Sequence, residues 1–102
     1  MGLMKPGKNE VEYIQIMKDD AGNLTIGKSF IELWAMLDSG TLPVLVDYVY
    51  DTTSYFYPKS FEFTNDITIV FSNIMAINNS IKMIEYKINM SGTITMTETV
   101  IS

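Results

Sequence analysis

Asp47, Asp51, Glu62 and Asp66 are the residues whose type best suits acid–base chemistry in this chain, provided they converge on one edge. A glycosidase needs two carboxyl groups about 5–9.5 Å apart, one to protonate the leaving oxygen and one to attack or to activate water. Asp51 and Asp66, however, fall in D-T-T-S and T-N-D, stretches of turn composition where aspartate serves backbone bonding. The chain has no histidine and no cysteine. That takes away the commonest general base, the thiolate nucleophile and the usual transition-metal ligands together. A serine or threonine nucleophile would have to borrow its base from one of seven scattered lysines, an aspartate or an amino terminus. No GxGxxG or GxxxxGK run supplies a phosphate-cradling loop. Asp19-Asp20-Ala21-Gly22-Asn23 offers oxygens for calcium, but a calcium loop takes about six to eight and usually closes on a bidentate glutamate. The expectation is no catalytic residue, no cofactor, no metal and no enzyme.

The aromatics carry the other candidate chemistry. Tyr48, Tyr50, Tyr55 and Tyr57 alternate around Phe56. Turned outward, they form a face that could hold a glycan or a protein partner; packed under Trp34, they are core with each hydroxyl reaching the rim. If Asp51-Thr52-Thr53-Ser54 closes a hairpin, Tyr50 faces Tyr55 and Tyr48 faces Tyr57 as a four-tyrosine ladder. Four rings alternating beside an amphipathic helix favour the core arrangement. Thr93, Thr95, Thr97 and Thr99 make a second row, which as a single strand face is solvated rather than a flat repeated array for ice or sugar.

The elements that must position these residues follow from period and punctuation. Val11 to Met17 is rich in strand formers and leads through the Asp19–Asn23 turn into Leu24-Thr25-Ile26, a first hairpin. Ser29 and Glu32 form a capping box that starts a helix of about ten residues, near 30–38. Phe30, Leu33, Trp34 and Leu37 share its apolar stripe, with Ile31 and Ala35 widening it, and Asp38-Ser39-Gly40 before Pro43 ends it. So short a helix is marginal in water, so Phe30, Trp34 and Leu37 must be laid on a sheet as core. Pro43 to Tyr50 reads as a strand with Val44, Val46, Tyr48 and Tyr50 on one face and Leu45, Asp47 and Val49 on the other. A three-residue loop at Thr64-Asn65-Asp66 pairs Phe61 with Ile69 and Phe63 with Ile67. Met90-Ser91-Gly92 turns the strand Ile81 to Asn89 into Thr93 to Ile101, pairing Ile88 with Ile94 and Tyr86 with Met96, and sets the threonine row beside Lys87 and Glu85.

The fold class expected is α+β: a mainly antiparallel sheet of six to seven strands, open or partly closed into a barrel, packed by one short helix. Its 102 residues, 47% hydrophobic, bury one core. The domain spans 11–102, behind a flexible tail at 1–10 whose Pro6 and two glycines discourage regular structure. A formal charge of −5 and the absence of arginine argue against nucleic acid as a partner. No window approaches a membrane span and no secretory h-region follows the first lysines, so neither membrane insertion nor a signal peptide is expected.

Ser29-Phe30-Ile31-Glu32-Leu33 with Gly40 and Pro43-Val44, then Ser54-Tyr55-Phe56-Tyr57, Ile67-Thr68-Ile69-Val70-Phe71-Ser72 and Gly92-Thr93-Ile94-Thr95 resemble a recurrent small module. It is one of structural proteins in bacteriophages and prophages of gut bacteria, and the resemblance runs from Ser29 to Thr97. Tyr57-Pro58 stands where an aliphatic strand residue is common, and Met90-Ser91-Gly92 replaces an acidic turn. The resemblance implies a non-enzymatic virion part, such as a head or tail fibre, a baseplate accessory or a decoration protein. It implies a virion location, contact with other virion proteins and self-association, as a trimer in a fibre, with a host surface glycan as a further partner. A carbohydrate-binding adhesion module using the tyrosine face is the alternative, and a small carboxylate hydrolase the second. The module has no catalytic motif to carry over.

Overall fold

The computed structural model describes residues 10–50 and 52–102. The tail expected at 1–10 lies, apart from Glu10, outside the described residues, as does Asp51. The chain runs β1 (Val11–Lys18), β2 (Leu24–Ile26), α1 (Phe30–Ser39), β3 (Leu42–Asp47), β4 (Ser54–Glu62), β5 (Thr68–Ile77), β6 (Ser80–Asn89) and β7 (Ile94–Val100). The strands form one sheet in the order β2-β1-β3-β4-β5-β6-β7, curled into a half-barrel around the helix, which establishes the mainly β, α+β class. From β3 onward each strand is antiparallel to the last, but β1 and β3 lie parallel, with Tyr13 opposite Val44. A parallel pair needs a crossover, and β2 with α1 supplies it.

Local chemistry sets the boundaries. At the first turn Asp19 Oδ1 accepts the Asn23 amide at 2.8 Å and Gly22 takes φ 90, so the acidic run is spent on the backbone. The Asn23 amide holds the Asp19 carboxyl below its usual range. The capping box is present: the Ser29 amide donates to Glu32 Oε1 at 2.9 Å and the Glu32 amide to Ser29 Oγ at 3.2 Å. Gly40 ends α1 in the left-handed region with φ 91, where a side chain would be strained. Asn78 and Asn79, both at positive φ, make the two-residue turn between β5 and β6, the backbone that matches strand twist.

The core lies on the concave face. Phe30, Leu33 and Leu37 of α1 meet Ile14, Leu45, Phe56, Ile69, Phe71, Ile84, Tyr86 and Ile88. One irregularity makes this possible. In β4, Tyr57 faces Ser72 but Ser60 faces Val70, so Lys59 is an extra residue and the side-chain parity flips. The flip turns both Phe56 and Phe61 inward, and it sits beside Pro58, a residue sheets accept at bulges. Phe61 pairs with Ile69, and Ile88 with Ile94 and Tyr86 with Met96, in the registers the turns demand. The threonine row stands beside Lys87 and Glu85 on the outer face.

Candidate partner-binding groove

Helix α1 presents two faces. Phe30, Leu33 and Leu37 are buried, whereas Ile31 is 74% and Trp34 38% exposed, and Ala35 is exposed too. This corrects the expectation that Trp34 is core and that Ile31 and Ala35 widen the buried stripe. The sheet curls round only one side of the helix, so residues three apart on its flank, Ile31 and Trp34, look past the sheet edge. There the Trp34 ring lies on Phe61 at 4.3 Å between centroids and 32° between planes, and Phe61 meets Phe63 edge-on at 4.9 Å. Phe63 falls beyond the ladder, which ends at Glu62 and Thr68, and is 79% exposed.

These residues, with Ile67 and Met90, line a groove of about 260 Å³ whose walls are all apolar. It opens beside a cleft of about 470 Å³ between β2, the start of α1 and the β6–β7 turn. Lys28 at that cleft's edge is paired with Glu12 at 3.4 Å. The groove has shape and grease, with the Trp34 indole as the one side chain in its lining that carries a polar group, and so is suited to apolar side chains of a partner.

The four tyrosines do not form the expected ladder. Strand β3 stops at Asp47, and Val46 faces Tyr55 while Asp47 faces Ser54. Tyr48 and Tyr50 therefore lie in the connecting loop, four residues out of the register that would set Tyr50 against Tyr55. Tyr48, Tyr55 and Tyr57 are 54%, 44% and 50% exposed, so they are not core under Trp34. Tyr55 and Tyr57 stand on the convex face, where Tyr13 of β1 meets Tyr55 edge-on at 5.7 Å. Tyr50 alone turns in, its hydroxyl donating to Glu98 Oε2 at 2.6 Å and lying 3.4 Å from Met96 Sδ.

The carboxylates scatter. Asp47 is 1% exposed on the core face, its Oδ1 accepting the Val49 amide at 2.8 Å and its Oδ2 the Tyr86 hydroxyl. Glu62 closes the far end of β4, roughly 25 Å from Ser54 at about 3.3 Å per residue. Asp66 lies exposed in the next loop, its carbonyl bonded by Thr64 and Thr68. Asp47, Glu62 and Asp66 thus share no cleft, and among the described residues no cluster of acids is arranged to hold a metal ion.

Asp47, Tyr86, Tyr50, Glu98 and Lys82 instead form a polar clamp across the top of the half-barrel. Burial, then the bond to Asp47, pushes the Tyr86 hydroxyl above the usual tyrosine range, and burial with Glu98 does the same for Tyr50. Tyr50, then Lys82 at 3.3 Å, holds the Glu98 carboxyl low. The protons stay on the tyrosines, so the cluster is a fastening.

Sequence reasoning missed the groove and the Asp47–Tyr86 bond. Strand parity contained the second: Asp47 shares its face with Leu45, and Tyr86 with Ile84 and Ile88. The groove had a fainter signal, two bare phenylalanines at a strand end next to a turn. No family model, no curated protein and no solved structure matches this chain.

Proposed function

We propose that this chain is a non-enzymatic contact module, a structural or accessory part that works by docking against other protein chains, its own copies among them. The groove of Ile31, Trp34, Phe61, Phe63 and Met90 carries the reading. A tryptophan and a phenylalanine left exposed beside the partly buried Phe61 ring cost solvation and offer a partner about 1.5–3 kcal/mol per large side chain covered. The resemblance of Ser29 to Thr97 to virion modules gives the setting: a fibre, baseplate or decoration component located in the particle. Among the described residues Asp47 is sealed and Glu62 and Asp66 lie apart from it, which favours the contact module over the carboxylate-hydrolase alternative.

A photo-crosslinker placed at Phe63, in the chain expressed with the products of its neighbouring genes, tests this. Crosslinking to one discrete protein, abolished by Trp34→Ala and retained by Tyr57→Ala, supports the module. Absence of any specific adduct counts against it.

The exposed Tyr13, Tyr55 and Tyr57 favour a second reading, a carbohydrate-binding adhesion face on the convex side. Amphipathic rings of this kind stack on sugars and bond their hydroxyls. Signal on a glycan array that disappears with Tyr55→Ala and Tyr57→Ala but survives Trp34→Ala selects this reading over the groove.

A further inference from the structure

Among the described residues, strand β7 is the last in the sheet and pairs only with β6. The Asn89 amide bonds the Thr93 carbonyl and the Ile101 amide the Ile81 carbonyl, so the odd-numbered residues of β7 face β6. In an antiparallel ladder the even-numbered ones, Met96, Glu98 and Val100, then turn their N–H and C=O groups away from it. Across the mouth of the half-barrel, β2 approaches only the Ile94 end, where both line the same cleft. Ser102 is held inward, its amide and its carbonyl both bonded to Ile81, so the open length runs from Met96 to Val100.

This edge lacks the usual guards against pairing. From Ile94 to Val100 it holds no lysine, proline or glycine and no bulge; the one irregularity lies beyond, where the Ile101 and Ser102 amides both bond the Ile81 carbonyl. Its one charge, Glu98, points to the concave side and is tied down by Lys82 at 3.3 Å and Tyr50 at 2.6 Å. The one carboxylate on this edge is thus paired within the chain. Val100 and Ile101, 64% and 53% exposed, are left uncovered on the same stretch.

We propose that β7 pairs antiparallel with β7 of a second copy of this chain, on a two-fold axis at Thr99. Register fixes the position. An axis on Glu98 sets two carboxylates directly opposite, which is destabilising. An axis on Thr97 uses the Ile94 end that β2 overhangs. An axis on Thr99 sets Glu98 against the partner copy's Val100, both of which turn their N–H and C=O groups outward, brings Thr97 opposite Ile101, and joins the two sheets into one. The same patch serves both subunits, as a two-fold interface requires. The pairing rests on the reading of the chain as a contact module, but on a different surface from the groove.

Sedimentation from micromolar to millimolar concentration, with three variants, tests it. Val100→Pro removes a donor that points away from β6 and leaves the β6 ladder alone. It should raise the dimer dissociation constant at least roughly tenfold, with the melting temperature unchanged when read at a concentration low enough that both chains are monomeric. The native chain has no cysteine, so Thr99→Cys reports the axis directly. Its two copies meet at a non-hydrogen-bonded pair, about 4.5 Å between Cα atoms, within disulfide reach. Oxidation should give a covalent dimer, and Thr97→Cys should not. A native chain that stays monomeric, a dimer indifferent to Val100→Pro, or crosslinking through Thr97→Cys in place of Thr99→Cys overturns the proposal. A monomer that still crosslinks a partner at Phe63 overturns it while leaving the groove standing.

Discussion

Phe56 and Phe63 sit near opposite ends of the same stretch of chain, and the two ends treat an aromatic ring in opposite ways. At the upper end Phe56 is fully buried, edge-on to Tyr86 at 5.0 Å, under the clamp of Asp47, Tyr50, Glu98 and Lys82. At the lower end Phe63 stands in water against Phe61, with Trp34 alongside. One end is shut by polar bonds reaching from β3 and its loop to β6 and β7. The other is left open and greasy, although it had aromatics enough to close it. A fold that seals one rim with side-chain bonds can afford an unsealed rim for contact, because the outermost ring there, Phe63, lies outside its core.

The sharpest way to break that contrast is to cut the same residue type at both ends. Phe56→Ala should lose about 3–5 kcal/mol, the transfer of a buried ring plus a cavity that the helix above cannot fill. Phe63→Ala should change stability by no more than about 0.5 kcal/mol. Urea titration of the pair checks it, and similar losses would mean the lower rim is structural. Next in size is Tyr86→Phe. It leaves Asp47 Oδ2 buried without its donor, and an unmet buried polar group costs about 1–3 kcal/mol. The same titration should show the midpoint falling with the slope unchanged.

The contrast between the ends was only partly legible in the sequence. The helix was, because Ser29, Glu32 and Gly40 are local signals acting within a few residues. So was the β6–β7 register, where one short turn and strict alternation leave a single solution. The β3–β4 pairing was not, because alternation continues past Asp47 into Tyr48 and Tyr50 and does not say where a strand stops. What stops it is the Asp47 carboxyl taking the Val49 amide while Tyr86, far away in sequence, holds the other oxygen. The bulge at Lys59 and the parallel β1–β3 pair are likewise settled by partners outside the local window. Trp34 shows a further limit: the stripe on a helix gives its apolar face, but how far the sheet wraps around that face is a tertiary fact.

Ser29→Ala tests whether the lower rim's geometry depends on the helix start. Losing a serine N-cap costs about 1 kcal/mol. Because Ile31 and Trp34 follow immediately, fraying of the first turn should also raise Trp34 exposure. A red shift of the single tryptophan's emission, larger than any produced by Tyr86→Phe, is the expected signature. An unchanged spectrum would mean that Phe61 alone holds Trp34 in place.

The smallest effect expected is electrostatic and belongs to the upper rim alone. Glu98 titrates below its ordinary value of 4.5 because Tyr50 donates to it and Lys82 lies beside it. A carboxyl whose folded value is depressed contributes stability that is fully present above its unfolded value and is lost as the pH falls through the folded one. The clamp should therefore hold at neutral pH and weaken progressively below about 4.5. Its solvent exposure keeps the contribution under roughly 1 kcal/mol. Glu98→Gln keeps the shape of the side chain and removes the titration. The difference in unfolding free energy between it and the native chain should be constant at neutral pH and shrink on acidification below that point. High salt should narrow the gap as well, since Lys82 and Glu98 are only partly shielded from water. A gap that persists unchanged into acid would place the strength of the upper rim in Asp47 and Tyr86 and leave Glu98 as a bystander to it.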